Sequence, residues 1–517
     1  MKPFSRNLSR RVLALLAPLL LLSAPERAEA QAWHQHPYWS QSSSIPISGR
    51  PVSQLAWVET EMRDFMQERS IPGGVFGIAR NEEIVYLRGF GHDFNKQPLP
   101  ENTPFRLASV SKTITVAAAR HLISTGAIDL DDYVFDRGQW KQIGGFVVQV
   151  GGILPSPTYA PYPNLAAADP DVSKITISHL IHHRSGWYVN SLSNNLDYAF
   201  HDLDCANDMG IASPPGPVNK VRWIQGKQGL AFEPGTSVAY SNINTLILGE
   251  VIKHVSGMSL EQYVRTHVMR PGIWIPSTEI FAAESFREWG DPREPYYKTL
   301  NAKPSSATGP WMVPNVFDSY GPAQVEAPYG GAHYEAMVPF GAWVASGAAM
   351  LTFANHYDVR YSTNPDSTFG MPLSGPLTSS GGHNGSLDGF ESVIYQQADG
   401  IHGRLRFFVA FNARSNSSTF YPGHWPTQFL DLVRPTLIGP TQTYPNTTSD
   451  GFWTQPGTEL AQGVGGYNSA FRGFQRALDR TTPGSKLRLF TGSQAWTGVI
   501  NEPMIIDAPL GTATIGQ

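Results

Sequence analysis

The 517-residue sequence predicts an α+β fold: an antiparallel sheet flanked by helices, with a mainly helical subdomain inserted into it and a small β-rich appendage at the C-terminal end. Two observations carry the class. Short strand-like runs pair off near the start of the chain, at 73–81 and 83–91, and again late, at 389–397 and 404–412. The long stretch between them carries several helical patterns and no alternation of comparable length. Sheet at both ends with helices between them requires a discontinuous sheet. Composition agrees with a folded, loop-rich chain. Charged residues are 15%, against roughly 25% in ordinary soluble domains, with 49 Gly and 41 Pro. Lys and Arg number 38 against 42 Asp and Glu, a net charge of −4, which gives nucleic acid no basic surface to bind.

Taken in order, the chain begins with a targeting signal. Lys2, Arg6, Arg10 and Arg11 precede an apolar run from Val12 to Ala24 that Pro18 interrupts, and Ala28-Glu29-Ala30 offers small residues at a cleavage site. Residues 1–30 read as a signal peptide, which places the mature protein in the periplasm or outside the cell, with no stable membrane insertion after cleavage. Residues 31–50 read as a flexible leader. From Val52 to Arg69, apolar residues at helical spacing predict an amphipathic helix. The first hairpin turns at Asn81-Glu82, and the second at Ala398-Asp399-Gly400. Gly- and Pro-rich stretches at 151–170, 213–218 and 271–330 read as loops that shape a cleft. A helix is expected from Thr427. Together these make a domain over 51–439, followed by a linker over 440–468 and an appendage over 469–517. That appendage, a helical patch from Ser469 to Leu478 and then short strands, looks like the opening coil of a parallel β-helix.

The chemistry concentrates at Phe105-Arg106-Leu107-Ala108-Ser109-Val110-Ser111-Lys112-Thr113, which opens a helical segment. Ser109 and Lys112 are three apart and share a face. A serine hydroxyl attacks poorly unless a neighbour takes its proton, and a lysine whose pKa is lowered by burial can do so. A helix N-terminus also turns backbone N–H groups toward a forming anion. Ser109 as a mere N-cap beside a solvated lysine is the bland alternative, and the surrounding pattern weighs against it.

Two further elements follow in order. Glu233-Pro234-Gly235 leads to Tyr240-Ser241-Asn242 and a long apolar helical pattern, and Gly381-Gly382-His383-Asn384-Gly385-Ser386 leads into the late strand pair. Tyr-x-Asn recurs at Tyr162, Tyr188 and Tyr444, but these copies lack such flanks. With Ser-x-x-Lys, this set resembles the serine β-lactamase and penicillin-binding-protein superfamily, over about residues 52–436. Its nearest branch is that of class C β-lactamases, family VIII esterases and D-alanyl-D-alanine peptidases. The resemblance implies that Ser109 becomes acylated, that Lys112 shares its proton and that Tyr240 relays it to the leaving group, with the base left open between Lys112 and Tyr240. It implies that Asn242 binds the substrate amide, that His383, Asn384 and Gly385 line the substrate, and that the backbone N–H groups of Ser109 and Ser386 form the oxyanion hole. No cofactor or metal is implied. His383 stands where β-lactamases carry lysine, so recognition of a substrate carboxylate by a fixed cation is weakened.

The implied activity is a serine hydrolase acting on small carboxylic esters or peptide-like amides. The alternatives are a D-alanyl-D-alanine carboxypeptidase or D-aminopeptidase and, from another class, a penicillin-binding module that acylates without turnover. His179, His182 and His183 cluster without the glutamate that zinc hydrolases of similar spacing use, so a metal site is not expected there. Cys205, the only cysteine, reads as a spectator thiol, and Trp187 and Tyr188 read equally as cleft or core residues.

Overall fold

In the computed structural model the described residues are 45–444, except 94–96, 144–145, 164, 166–167, 189–196, 270–274, 276, 298–311 and 415–422, together with short strands between 452 and 515. The expected signal peptide lies outside them, as does most of the expected leader.

A six-stranded antiparallel sheet joins the two ends of the domain. Its strands are β1 (Ile47–Ser48), β2 (Gly73–Arg80), β3 (Glu83–Gly91), β7 (Gly381–Leu387), β8 (Phe390–Gln396) and β9 (Leu405–Phe411), in the order β1-β3-β2-β9-β8-β7. The first hairpin closes on Asn81 and Glu82, both at positive φ (50° and 73°), a two-residue turn of the primed kind whose twist suits the strands. Alternation along each strand divides the side chains between two cores. Phe76, Ile78, Phe407, Val409 and Phe411 face α1 (Ala56–Arg69) and α8 (Trp425–Leu437). Val75, Ala79, Phe408 and Ala410 face the other way, toward α7 (Gly347–His356) and the helical layer.

The first face shows how sequence dictates packing. Val58, Met62, Phe65 and Met66 recur at helical spacing along α1 and are buried, and Phe65 meets Phe429 of α8 edge-on at 5.5 Å. The helix ends at Ser70, in the left-handed conformation (φ 54°), just before Ile71 and Pro72. On the second face lies α2 (Ser111–Ser124), buried nearly all round, with α6 (Asn242–Ser256) in the same core. Ser241 caps α6 by accepting from Ile243 N at 3.3 Å, and Gly257 ends it at φ 68°. A smaller antiparallel sheet, β4 (Phe105–Arg106), β6 (Trp343–Ala345) and β5 (Ile280–Ala282) in the order β4-β6-β5, holds the entry to α2.

Several expectations need correction. The leader is not loose to residue 50: β1 pairs Ile47 with Phe90 and Ser48 with Gly89, and Arg88 donates to Gly49 O at 2.8 Å. The domain runs past 439, because Trp57 donates to Gln442 Oε1 at 3.1 Å and Tyr444 donates to Leu437 O at 2.8 Å. Within the expected linker, Phe452–Gln455 is a strand whose Phe-Trp-Thr core favours extended backbone over the surrounding Pro and Gly. Of the helical patch expected over Ser469–Leu478, Phe471–Arg472 is a strand and the rest lies outside the described residues. The tail strands pair in parallel, with Lys486 opposite Ile505 and Gly492 opposite Ala513. In the helical middle, a further hairpin, Gln139–Ile143 with Phe146–Val150, exposes Trp140 and Phe146.

Candidate active site

The segment carrying Ser109 is clamped before the helix begins. Leu107 N donates to Trp343 O (2.8 Å) and Ser392 Oγ donates to Leu107 O (2.6 Å), which ties the turn to both sheets. Arg106 anchors the preceding strand through a buried ion pair with Glu294 at 3.0 Å and a donation to Pro328 O at 2.9 Å. Ala108 then adopts a left-handed φ of 47°, a conformation that costs a non-glycine residue about 1 kcal/mol or more and persists only where its surroundings dictate it. A single 3-10 turn, Ala108–Val110, presents Ser109 and continues into α2.

Lys112 lies one turn on and is 1% exposed. Its Nζ is 3.0 Å from Ser109 Oγ, 2.5 Å from Asn242 Oδ1 and 2.7 Å from Phe340 O. Burial pulls its pKa down to about 7, with the charge of Asp197 pushing back. A neutral amine has two hydrogens and one lone pair. The two carbonyl oxygens take the hydrogens, which leaves the lone pair facing Ser109.

Tyr240 donates to Ser109 Oγ at 2.8 Å, and its ring lies 5.1 Å from Lys112 Nζ. The residue is 37% exposed, yet burial of its hydroxyl end holds its pKa above the ordinary phenol value, the bond to Ser109 countering only in part. The ring stacks on His183 (4.7 Å, 20°) and meets Tyr361 edge-on at 6.2 Å. His183 is buried, its pKa lowered well below the ordinary value by burial, and its Nδ1 accepts from Ser241 N at 3.2 Å.

Asn242 joins Lys112 to a further residue. It is buried, its Oδ1 accepts from Lys112, and its Nδ2 donates to Asp197 Oδ2 at 2.6 Å, so the amide tethers the lysine. Asp197 is a buried carboxylate that the sequence reading missed.

The third motif lies on the edge strand β7. A Cβ at Gly385 would sit 2.4 Å from Leu107 O and 2.6 Å from Ser109 N, so only glycine lets this strand lie against the turn that carries Ser109. The backbone that continues to Ser386 therefore runs beside Ser109 N, and Ser386 Oγ donates to Glu391 Oε1 at 3.0 Å. Asn384 is exposed. His383 is 6% exposed; its Nδ1 lies 2.7 Å from Asn384 O and so carries the hydrogen, which leaves Nε2 as a buried, unpartnered acceptor. Burial, aided by Lys112, takes its pKa to about 3. Its ring packs against Tyr361 at 5.0 Å. His424, also missed, caps α8 through Thr427 N at 3.2 Å and donates Nε2–H to Gly385 O at 2.9 Å.

The other sequence candidates are structural. His179 accepts from Thr176 N at 3.2 Å in a capping box, and His182 bonds Ser178 O at 2.8 Å and faces Arg120 at 3.3 Å. With His183 behind Tyr240, the three histidines serve three separate partners. Cys205 is buried 3.7 Å from Met209 Sδ, its pKa pushed up to about 12 by burial. Trp187 is core, edge-on to Phe135, while Tyr188 is half-buried and accepts from Gln228 through its carbonyl.

Known proteins carry related sequences. Esterase EstB of Burkholderia gladioli is 28% identical over 234 residues, 43% of this chain and 50% of the esterase. Penicillin-binding protein 4* of Bacillus subtilis is 28% identical over 202 residues, 38% of this chain and 36% of its own length. The chain thus spans about half or less of these relatives. A solved D-amino acid amidase from Ochrobactrum anthropi SV3 aligns over 75% of this chain and 99% of its own, at 17% identity and a TM-score of 0.48. A family model described as Beta-lactamase matches residues 58–412, the span that holds every residue of the Ser109 site except His424, and the chain belongs to the beta-lactamase family.

Proposed function

We propose that the protein is an exported serine hydrolase that cleaves small, uncharged carboxylic esters through an acyl-enzyme on Ser109. The observation that carries this is the three-way environment of Lys112, which leaves a lone pair for the Ser109 hydroxyl proton once the amine is neutral. Ser109 Oγ attacks the ester carbonyl carbon as its proton passes to Lys112 Nζ. The oxyanion is held by the N–H groups of Ser109 and Ser386, each worth about 3 kcal/mol in comparable sites. When the bond to the leaving alkoxide breaks, Tyr240 hands over its proton and recovers one from Lys112. Water then attacks the acyl carbon by the same route and releases the acid.

The raised pKa of Tyr240 keeps it protonated at neutral pH, so it acts as acid and relay, and Lys112 is the base. A neutral His383 supplies no cation for a substrate carboxylate, which supports uncharged esters over β-lactams and peptides ending in a free carboxylate. The test sets p-nitrophenyl acetate, nitrocefin and a D-alanyl-D-alanine peptide side by side, with intact mass reporting acylation of Ser109. Sustained release from the ester with a transient adduct on Ser109 is expected. A stable adduct without release would identify a binding module instead, and faster peptide cleavage a D,D-peptidase.

A further inference from the structure

We propose that Asp197 is the positioning residue for the base: it fixes the Asn242 amide so that Oδ1 faces Lys112, and thereby aims the lysine lone pair at Ser109. The inference rests on the roles of Ser109 and Lys112 proposed above. A carboxylate only accepts. Asp197 Oδ2 takes hydrogen bonds from Asn242 Nδ2 at 2.6 Å and Asn242 N at 3.2 Å, so the nitrogen side of the amide must face Asp197 and the oxygen side must face Lys112. The carboxylate is itself held. Its Oδ1 accepts from Ala199 N at 3.1 Å, capping the turn Tyr198–Phe200. Behind that turn Lys220 donates to Ala199 O at 2.6 Å and pairs with buried Asp202 at 2.8 Å.

Asp197 also supplies an opposing charge that acts on the base. Lys112 is faced by Ser109 and Tyr240, by Asn242 and Asp197, by the Phe340 carbonyl, and by His383 and His183, both neutral imidazoles. Removing the carboxylate therefore disfavours the lysinium and weakens the base together. A polar residue placed only for packing would have neither effect.

The test uses Asp197→Asn in the full chain, with Asp197→Ser as second variant because serine also caps a turn. A fluorophosphonate probe labels Ser109, and intact mass gives the labelling rate from pH 5 to 9 alongside kcat and KM for p-nitrophenyl acetate. In both variants the acidic limb is expected to move down by about one pH unit, in the range a lost neighbouring charge gives. The plateau kcat should fall with KM little changed, further in the serine variant. Unmoved limbs in variants of native circular dichroism would overturn the inference. A wild-type protein that takes no label on Ser109 would instead overturn the nucleophile assignment on which it rests.

Discussion

Protonation of Lys112 is where pH acts on this site, because burial has brought the titration of one side chain into the neutral range. The sign follows from the role. Below about pH 7 Nζ holds a third proton and has no lone pair for Ser109; above it the amine is neutral. The kcat/KM for p-nitrophenyl acetate should therefore rise through about pH 7. It should then stay level to at least about pH 10, since Tyr240 is held protonated beyond the ordinary phenol range. A limb near pH 4–5 would point to a carboxylate base and discard Lys112. Tyr240→Phe keeps the ring on His183 and removes only the donor, so kcat should drop by roughly a hundredfold on alkyl esters. The drop should be smaller on p-nitrophenyl esters, whose leaving group needs no proton. Equal losses on both would show that the hydroxyl does not serve the leaving group. His383→Lys restores a cation beside Lys112, and the ratio of kcat/KM for a carboxylate-bearing acyl group over its neutral analogue should increase.

At the scale of elements, the site is a turn, a helix end and an edge strand pressed together, and Gly385 is the point of pressure. Gly385→Ala would drive its methyl into Leu107 O and Ser109 N, so β7 must back away and carry Ser386 N with it. Loss of one oxyanion donor corresponds to roughly a 10²–10³-fold fall in kcat. The fold should persist, because β7 is an edge strand and can shift without unpairing the centre of the sheet. A wild-type rate in the alanine variant would refute the close packing. This same scale separates what the sequence reveals from what it hides. Ser109 with Lys112, and Tyr240 with Asn242, each lie within a few residues, so spacing alone puts them on a common turn. Asp197, His424, His183 and Tyr361 reach the site from separate segments through tertiary contacts, and a lone Asp before Tyr198 or a lone His before Trp425 has no periodicity to read. The amphipathic helix over 52–69 and both hairpins were legible because one period governs each. The hairpin over 139–150 was not, because its exposed Trp140, Phe146 and Val147 break the alternation that marks a half-buried strand.

For the molecule as a whole, the sheet divides two cores, and chain from both ends closes each of them. β2 and β3 come from the N-terminal side and β7, β8 and β9 from the C-terminal side, so the central pairing of β2 with β9 joins residues more than 300 positions apart. Non-local closure of this kind makes residues 440–444 matter to the stability of the domain. Gln442 bridges Trp57 and the Gln54 carbonyl, both at 3.1 Å, and Tyr444 donates to Leu437 O while its ring lies under Arg80. A chain cut after Tyr444 keeps all of these, whereas one cut after Gly439 loses these three side-chain hydrogen bonds, each contributing about 1 kcal/mol, and the bond from Gln442 N to Gly439 O. Every hydrogen bond described at the Ser109 site arises from residues between 106 and 427. The chain cut after Tyr444 is therefore expected to hydrolyse p-nitrophenyl acetate at the full-length rate. The chain cut after Gly439 should keep kcat at low temperature but unfold at a midpoint several degrees lower, as a few kcal/mol implies for a domain of this size. Thermal unfolding and turnover on the three lengths decide it: lost activity in the longer truncation would assign the tail a part in the site, and equal midpoints would return the domain boundary to 439.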